Sequence, residues 1–141
     1  MLYTGKGDNG TTKTFACDQR ISKSSKIAEA LGALDETNSF LGVCKVRSKK
    51  EKFLLRNGNS FEDTIHNVQE NVCIVRAEVA GSDKTITEEK VKELEKSINE
   101  IEKELPPISS FFISGGSKLS VLLDIARTFA RRAERRVVGV S

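Results

Sequence analysis

Apolar positions recur at helical spacing in four separate stretches of the chain. The first begins near Ser24 and sets Ile27, Ala30 with Leu31, Leu34, Asn38 and Leu41 on one side. That spacing predicts a helix to about Val46, capped by Ser22, Ser24 or Ser25. The second opens at Ser60-Phe61-Glu62-Asp63 and continues through Ile65, Val68 with Gln69, Val72, Val75 with Arg76, and Val79 to a glycine stop at about Gly81. The third opens at Thr87-Glu88-Glu89-Lys90, with acidic residues in its first turn. Its stripe is Val91, Leu94, Ile98, Ile101 and Leu105, and Pro106-Pro107 ends it. The fourth runs from about Lys118 to Val138, with Leu119, Leu122, Leu123, Ala126, Phe129, Ala130, Ala133 and Val137 inward. Between the first two lies a basic loop, residues 47–60, with a turn at Asn57-Gly58-Asn59. Residues 1–22 lack the helical period and read as an ordered N-terminal arm. Four amphipathic helices with short links predict an all-α, up-and-down helical bundle. A chain of 141 residues suits one domain with one core.

Composition narrows the function classes. The chain is 38% hydrophobic and 30% charged, with a net charge of +3. This mild basicity favours an anionic small molecule and falls short of the imbalance expected of a nucleic-acid binder. No apolar run approaches the ~18 residues of a membrane span, and the N-terminus has no signal-peptide pattern. Cys17, Cys44 and Cys73 lie far apart, with no Cys/His cluster. They read as reduced thiols of a cytoplasmic protein, not as disulfides or a zinc site. His66, the lone histidine, reads as a surface or packing residue, and no metal site is expected. No serine or cysteine has a base partner identifiable from sequence, so covalent catalysis has no support.

Three stretches carry candidate chemistry. TGKGDNG, residues 4–10, spaces Gly5, Gly7 and Gly10 as G-x-G-x-x-G. No strand precedes it and no βαβ unit surrounds it, so the dinucleotide fingerprint does not apply, and the Walker pattern is absent. Glycines still let backbone N–H groups converge on anionic oxygens. Thr4, Thr11 and Thr12 add hydroxyls, Lys6 and Lys13 add charge, and Asp8 suits an amide or a magnesium ion. The competing reading is a flexible glycine-rich tail. In RTFARRAERR, residues 127–136, Arg127, Arg131 and Glu134 share one helix face, whereas Arg132 and Arg136 point elsewhere. Such a face is either a solvated ion-pair surface or a planar donor set for phosphate. Asp35 shares a face of the first helix with Leu31, Asn38 and Gly42, and suits pairing with an arginine, within the chain or across subunits.

YTGKGDNGTT (3–12), KSSKIAEALGALDETNSFLG (23–42) and FFISGGSKLSVLLDIARTFARRAERRVV (111–138), in that order, resemble the PduO-type ATP:cob(I)alamin adenosyltransferases. HNVQENVCIVRAEVAG (66–81) and the segment from Glu88 to Pro106 are similar to that family's middle helices. The resemblance implies a five-helix bundle that forms a homotrimer, with ATP bound between subunits and magnesium accompanying it. It implies transfer of the 5′-deoxyadenosyl group of ATP to cob(I)alamin, giving adenosylcobalamin and triphosphate. A reductase or a cobalamin-dependent enzyme is the further partner it implies, and neither nucleic acid nor membrane is. The family's nucleotide loop falls on Thr4, Gly5, Gly7, Asp8, Gly10, Thr11 and Thr12, and its ATP-contacting lysine on Lys23. Its site arginines and glutamate fall on Arg127, Arg131 and Glu134. Its intersubunit acidic partner falls on Asp35, paired with Arg127. The aromatic that displaces the lower axial ligand of the corrinoid falls on Phe111, with Phe112 beside it; the alternative for both is core packing. Two departures stand out. The loop reads FFISGGSK, where the family more often has a proline before its glycines, and the chain stops at Ser141 before the family's last helix, which carries a site asparagine. An ATP- or corrinoid-binding bundle without turnover is the alternative these departures raise.

Overall fold

A capping hydroxyl starts every helix. In the computed structural model, which describes residues 2–15, 18–52, 54–55 and 58–141, the elements are β1 (Thr11–Lys13), β2 (Arg20–Ser22), α1 (Lys26–Glu51), α2 (Phe61–Val79), α3 (Glu88–Glu102) and α4 (Lys118–Val138). Ser25, Ser60, Thr87 and Ser117 accept from the backbone N–H groups of Ala28, Asp63, Lys90 and Ser120. Each satisfies one of the N–H groups that a helix leaves unpaired in its first turn. Gly81, with φ of 89°, takes the left-handed conformation just beyond α2. The Cys17 thiol and the Asn57 position of the expected turn lie outside the described residues.

The helical bundle expected from the pattern is present, with three differences. α1 runs five residues beyond Val46, to Glu51. The basic run read as loop is helical because Arg47 pairs with Glu51 one turn on, at 2.7 Å, while Ser48 is buried. Lys49 and Lys50 complement the carbonyl end of the helix. The arm contains a small hairpin, with Thr11 opposite Ser22 and Lys13 opposite Arg20. The third difference is in the core, which is built by α1, α2 and α4. α1 packs on both of the others, and α3 contributes no buried residue. Its stripe is regular, but Val91, Leu94, Ile98 and Leu105 all remain exposed. Lys90 of α3 reaches Asn71 of α2, its Nζ 3.2 Å from Oδ1.

Small residues let α1 and α4 approach. Ala33, Leu34 and Ala133 form one buried cluster beneath Val72, Val75, Val79 and Val137. Cys44, Ile65 and Ala126 form a second, flanked by Phe40, Leu41, Phe61, Leu122 and Leu123. Phe40 and Phe129 meet edge to face, their centroids 5.1 Å apart. The buried hydroxyls of Thr37 and Ser48 donate to carbonyls of their own helix, so neither is an orphan. Burial pushes the Cys44 thiol pKa up, keeping it protonated and inert at neutral pH. Of the residues expected inward on α4, Ala130 is exposed. Ala133, by contrast, is 2% exposed. Enlarging it has no room to succeed. Ala133→Leu is expected to cost about 1–3 kcal/mol of stability, read as a lower urea midpoint. An unchanged midpoint would mean that these alanines do not set the α1–α4 spacing.

Candidate active site

The opening loop is ordered by its own backbone. Asp8 N donates to Gly5 O and Gly10 N to Gly7 O, both at 3.1 Å, and Lys23 N donates to Gly10 O at 2.9 Å. Gly5 and Gly10 have φ of 64° and 77°, the left-handed region that glycine enters without steric cost. Asn9 Oδ1 accepts from the N–H and the hydroxyl of Thr11, at 3.2 and 2.6 Å. Arg20 braces the far side, donating from Nε to Thr11 Oγ1 and from Nη2 to Thr11 O. A glycine-rich tail without structure is therefore not what the chain forms.

Lys23 lies over this loop. A Cβ placed on Gly7 would be 3.1 Å from Lys23 Nζ and 3.1 Å from Thr11 O. The glycine thus permits close approach of an ammonium to a turn of backbone N–H groups, a combination suited to phosphate oxygens. Among the described residues, Lys23, Lys6 and Thr4 have no ion-pair or hydrogen-bond partner through their side chains. Thr12 follows on β1 opposite Ile21. The Asp8 carboxylate folds back over the loop, its Oδ2 3.4 Å from the Cβ position of Gly5.

On α4 the arginines divide as their spacing predicts. Arg132 reaches Glu36 on α1 and stacks its guanidinium 5.0 Å over the Phe129 ring, and Arg136 approaches Glu29 at 4.0 Å. These two hold α4 to α1. Arg127, Arg131 and Glu134 are exposed on the outer face. Arg127 donates from Nε to Asp124 Oδ1 at 2.9 Å, and its Nη2 forms an ion pair with the same oxygen at 2.8 Å. Asp124 Oδ2 accepts from Ser114 Oγ at 2.8 Å. The Ser114 hydroxyl first, and Arg127 second, hold the Asp124 carboxyl below the ordinary value. Arg131 and Glu134 have no partner among the described residues.

The loop preceding α4 carries its aromatics outward. Phe111 and Phe112 are fully or largely exposed, at 105% and 76%. Core packing within the chain, the alternative for both, does not occur. The Ser114–Asp124–Arg127 chain ties this loop to the arginine face. Asp35 on α1 pairs with Arg76 on α2. Within one chain, then, Asp35 is held by Arg76 and Arg127 by Asp124. Among the described residues, no hydrogen bond or ion pair joins the opening loop to the α4 arginines. His66 sits between Lys45 and Glu70 at 3.4 and 3.8 Å. Among the described residues, no cluster of three or more His, Cys, Asp or Glu is placed to hold a metal ion, and no helix is long and apolar enough to cross a membrane.

Sequence reasoning brought out the loop, Lys23 and the α4 face, and missed Arg20, Ser114, Asp124 and Arg76. Only Asn9-Gly10-Thr11, an Asx-turn pattern, signalled any of the supporting contacts.

The described residues thus set an ordered glycine loop under a lysine, an outward arginine face and an exposed aromatic loop on a helical bundle. Residues 2–141 match the family model for cobalamin adenosyltransferase. The chain belongs to the cobalamin adenosyltransferase family. It is similar to the corrinoid adenosyltransferase of Bacillus subtilis, with 36% identity over 99% of this chain and 71% of that one. It is 35% identical to the corrinoid adenosyltransferase PduO of Citrobacter freundii over 99% of this chain. There it spans only 41% of the relative's length. Its fold is similar to that of a variant PduO-type ATP:corrinoid adenosyltransferase from Lactobacillus reuteri complexed with cobalamin and ATP. That match has a TM-score of 0.83 at 25% identity, covering 99% of this chain and 77% of the other.

Proposed function

We propose that the chain transfers the 5′-deoxyadenosyl group of ATP to the cobalt(I) form of a corrinoid, releasing triphosphate. The observation that carries this reading is the seating of Lys23 over the Gly7 turn, which builds a phosphate cradle without a Walker motif. Among the described residues the site offers no activated side-chain nucleophile, and this reaction needs none. Cobalt(I) of the substrate supplies the electron pair. The Co–C5′ bond forms as the C5′–O bond breaks, and triphosphate leaves with the bonding electrons. What remains for the protein is position and charge.

Those backbone N–H groups of Gly5 to Gly10 that are not bonded within the loop, the hydroxyls of Thr4 and Thr12, and the cations Lys6, Lys23 and Arg131 would meet the triphosphate as its charge grows, with Thr11 held in place by Asn9 and Arg20. Glu134 stands one turn beyond Arg131, where it can orient a guanidinium or a ribose hydroxyl. Asp8, an exposed oxygen donor folded over the same loop, fits a magnesium ion carried by the nucleotide. Phe111, with Phe112 beside it, would present an apolar wedge to the lower face of the corrinoid and exclude its axial donor. Because, among the described residues, no hydrogen bond or ion pair joins the loop to the arginine face, the reading puts the site between subunits of a homotrimer, with Asp35 of one copy facing Arg127 of another. A cytoplasmic location, and a reductase or a cobalamin-dependent enzyme as partner, belong to the same proposal.

The test is an anaerobic absorbance assay with ATP, magnesium and chemically reduced cobalamin. ATP-dependent conversion of cobalt(I) to the cobalt–carbon product is expected. ATP binding without conversion would replace this reading with that of a binding module.

A further inference from the structure

The ion pair between Asp35 and Arg76 has no role in the reading above, yet it occupies the carboxylate which that reading assigns to subunit contact. We propose that Arg76 is a positioning residue: it holds one oxygen of Asp35 so that the other is presented to Arg127 of a second copy of the chain. The inference rests on the proposed intersubunit role of Asp35.

Arg76 stands in the last turn of α2, where its charge complements the carbonyl end of the helix. Its Nη1 donates to Asp35 Oδ1, linking α2 to the middle of α1. The Asp35 side chain nevertheless stays 63% exposed. Among the described residues, its Oδ2 accepts no hydrogen bond. A carboxylate has acceptor sites for two guanidinium groups. Arg127 is engaged on one side in the same way, with Nε and Nη2 turned to Asp124. Each partner of the intersubunit pair is therefore held within its own chain and open on its other side. Without Arg76 the Asp35 carboxylate would have to be ordered during subunit contact, and that cost would weaken the contact. Other contacts also join α1 to α2 beside Arg76. Gln69 Nε2 donates to Asn38 O at 2.9 Å, and Asn38 Nδ2 donates to Cys73 Sγ at 3.4 Å, one turn away.

The experiment compares Arg76→Ala, Arg76→Lys, Asp35→Ala and the double variant Arg76→Ala/Asp35→Ala with the parent chain. Two readouts are used: kcat/KM for reduced cobalamin, and subunit association by sedimentation, which needs no turnover. Arg76→Ala is expected to lower kcat/KM about tenfold, the scale of one charge-assisted hydrogen bond, and to weaken association with an unchanged unfolding temperature. Arg76→Lys recovers part of both. In the Asp35→Ala background, removing Arg76 changes neither. A loss from Arg76→Ala that persists undiminished without Asp35 would show a structural role and overturn the inference. So would full activity and association in Arg76→Ala beside a defective Asp35→Ala, which would leave the site reading intact. Full activity and association in Asp35→Ala would sink both.

Discussion

Arg131→Ala is expected to lower the rate of adenosyl transfer about 10²–10³-fold, the usual cost of removing one donor aimed at developing negative charge. Its neighbour provides the control. Arg132 is one residue away and equally cationic, but it is committed to Glu36 and to the face of Phe129. Arg132→Ala should therefore cost stability, about 1 kcal/mol for a half-exposed pair with a ring contact, and much less rate. Arg131→Lys should fall between the parent and Arg131→Ala, because lysine keeps the charge and loses the planar fork. The measurement is single-turnover consumption of cobalt(I) at saturating ATP, beside a urea titration of each variant. Equal rate losses in Arg131→Ala and Arg132→Ala would mean that bulk positive charge on α4, and not a placed donor, accounts for the effect.

That contrast was readable in advance because α4 is a regular helix. Periodicity fixes which arginines share a face, and the face then fixes which are bound inward and which are left outward. The same local logic offered Ser25 among three caps for the first helix, opened the next two at Ser60 and Thr87, and placed Gly81 as a stop, all decided within a few residues. It failed where the deciding partner was distant or the pattern was silent about packing. α3 has the most regular stripe of the chain after its acidic start, but a stripe states only that a face is apolar, not what lies against it. In the chain Val91, Leu94 and Ile98 meet solvent. The end of α1 was misjudged because lysines and arginines in series resemble a solvated loop. Arg47–Glu51 and the buried Ser48 carry the helix through them.

Site residues divided along the same line. Of the three glycines that the spacing flagged, Gly5 and Gly10 take the left-handed conformation that favours glycine, whereas Gly7 leaves room for Lys23. Lys23 was placed only by resemblance, and what makes sense of it is the hairpin β1–β2, which returns the chain so that Lys23 N bonds Gly10 O. Asp35 raised the expectation of an arginine without saying which. Arg76 lies 41 residues further on and on another helix, and no local pattern joins them. Asp124 and Ser114 escaped notice because each is unremarkable alone. Together they anchor the Phe111 loop to the arginine face.

Gly7→Ala is expected to weaken ATP binding roughly 10- to 100-fold, in line with the loss of a contact to a charged group. The reason is space, not backbone strain: Gly7 is absent from the left-handed glycines, whereas Gly5 and Gly10 are among them. An added methyl would sit 3.1 Å from Lys23 Nζ and 3.1 Å from Thr11 O. Thr11 O cannot retreat, because Arg20 Nη2 holds it at 2.8 Å within the hairpin. Lys23 must leave the loop instead. Lys23→Ala should then weaken ATP binding to a similar extent. The double variant should bind within about twofold of Lys23→Ala alone, since the two changes remove one interaction. Gly10→Ala separates space from conformation: a Cβ there meets nothing within 4 Å, but the residue is held at φ of 77°, which costs an alanine about 1–2 kcal/mol. It should lower the stability of the arm and leave the Lys23 contribution measurable. Titration calorimetry with Mg-ATP across the four variants reads all of this. Fully additive losses from Gly7→Ala and Lys23→Ala would separate the lysine from the loop, and with it the phosphate cradle on which the proposed function stands.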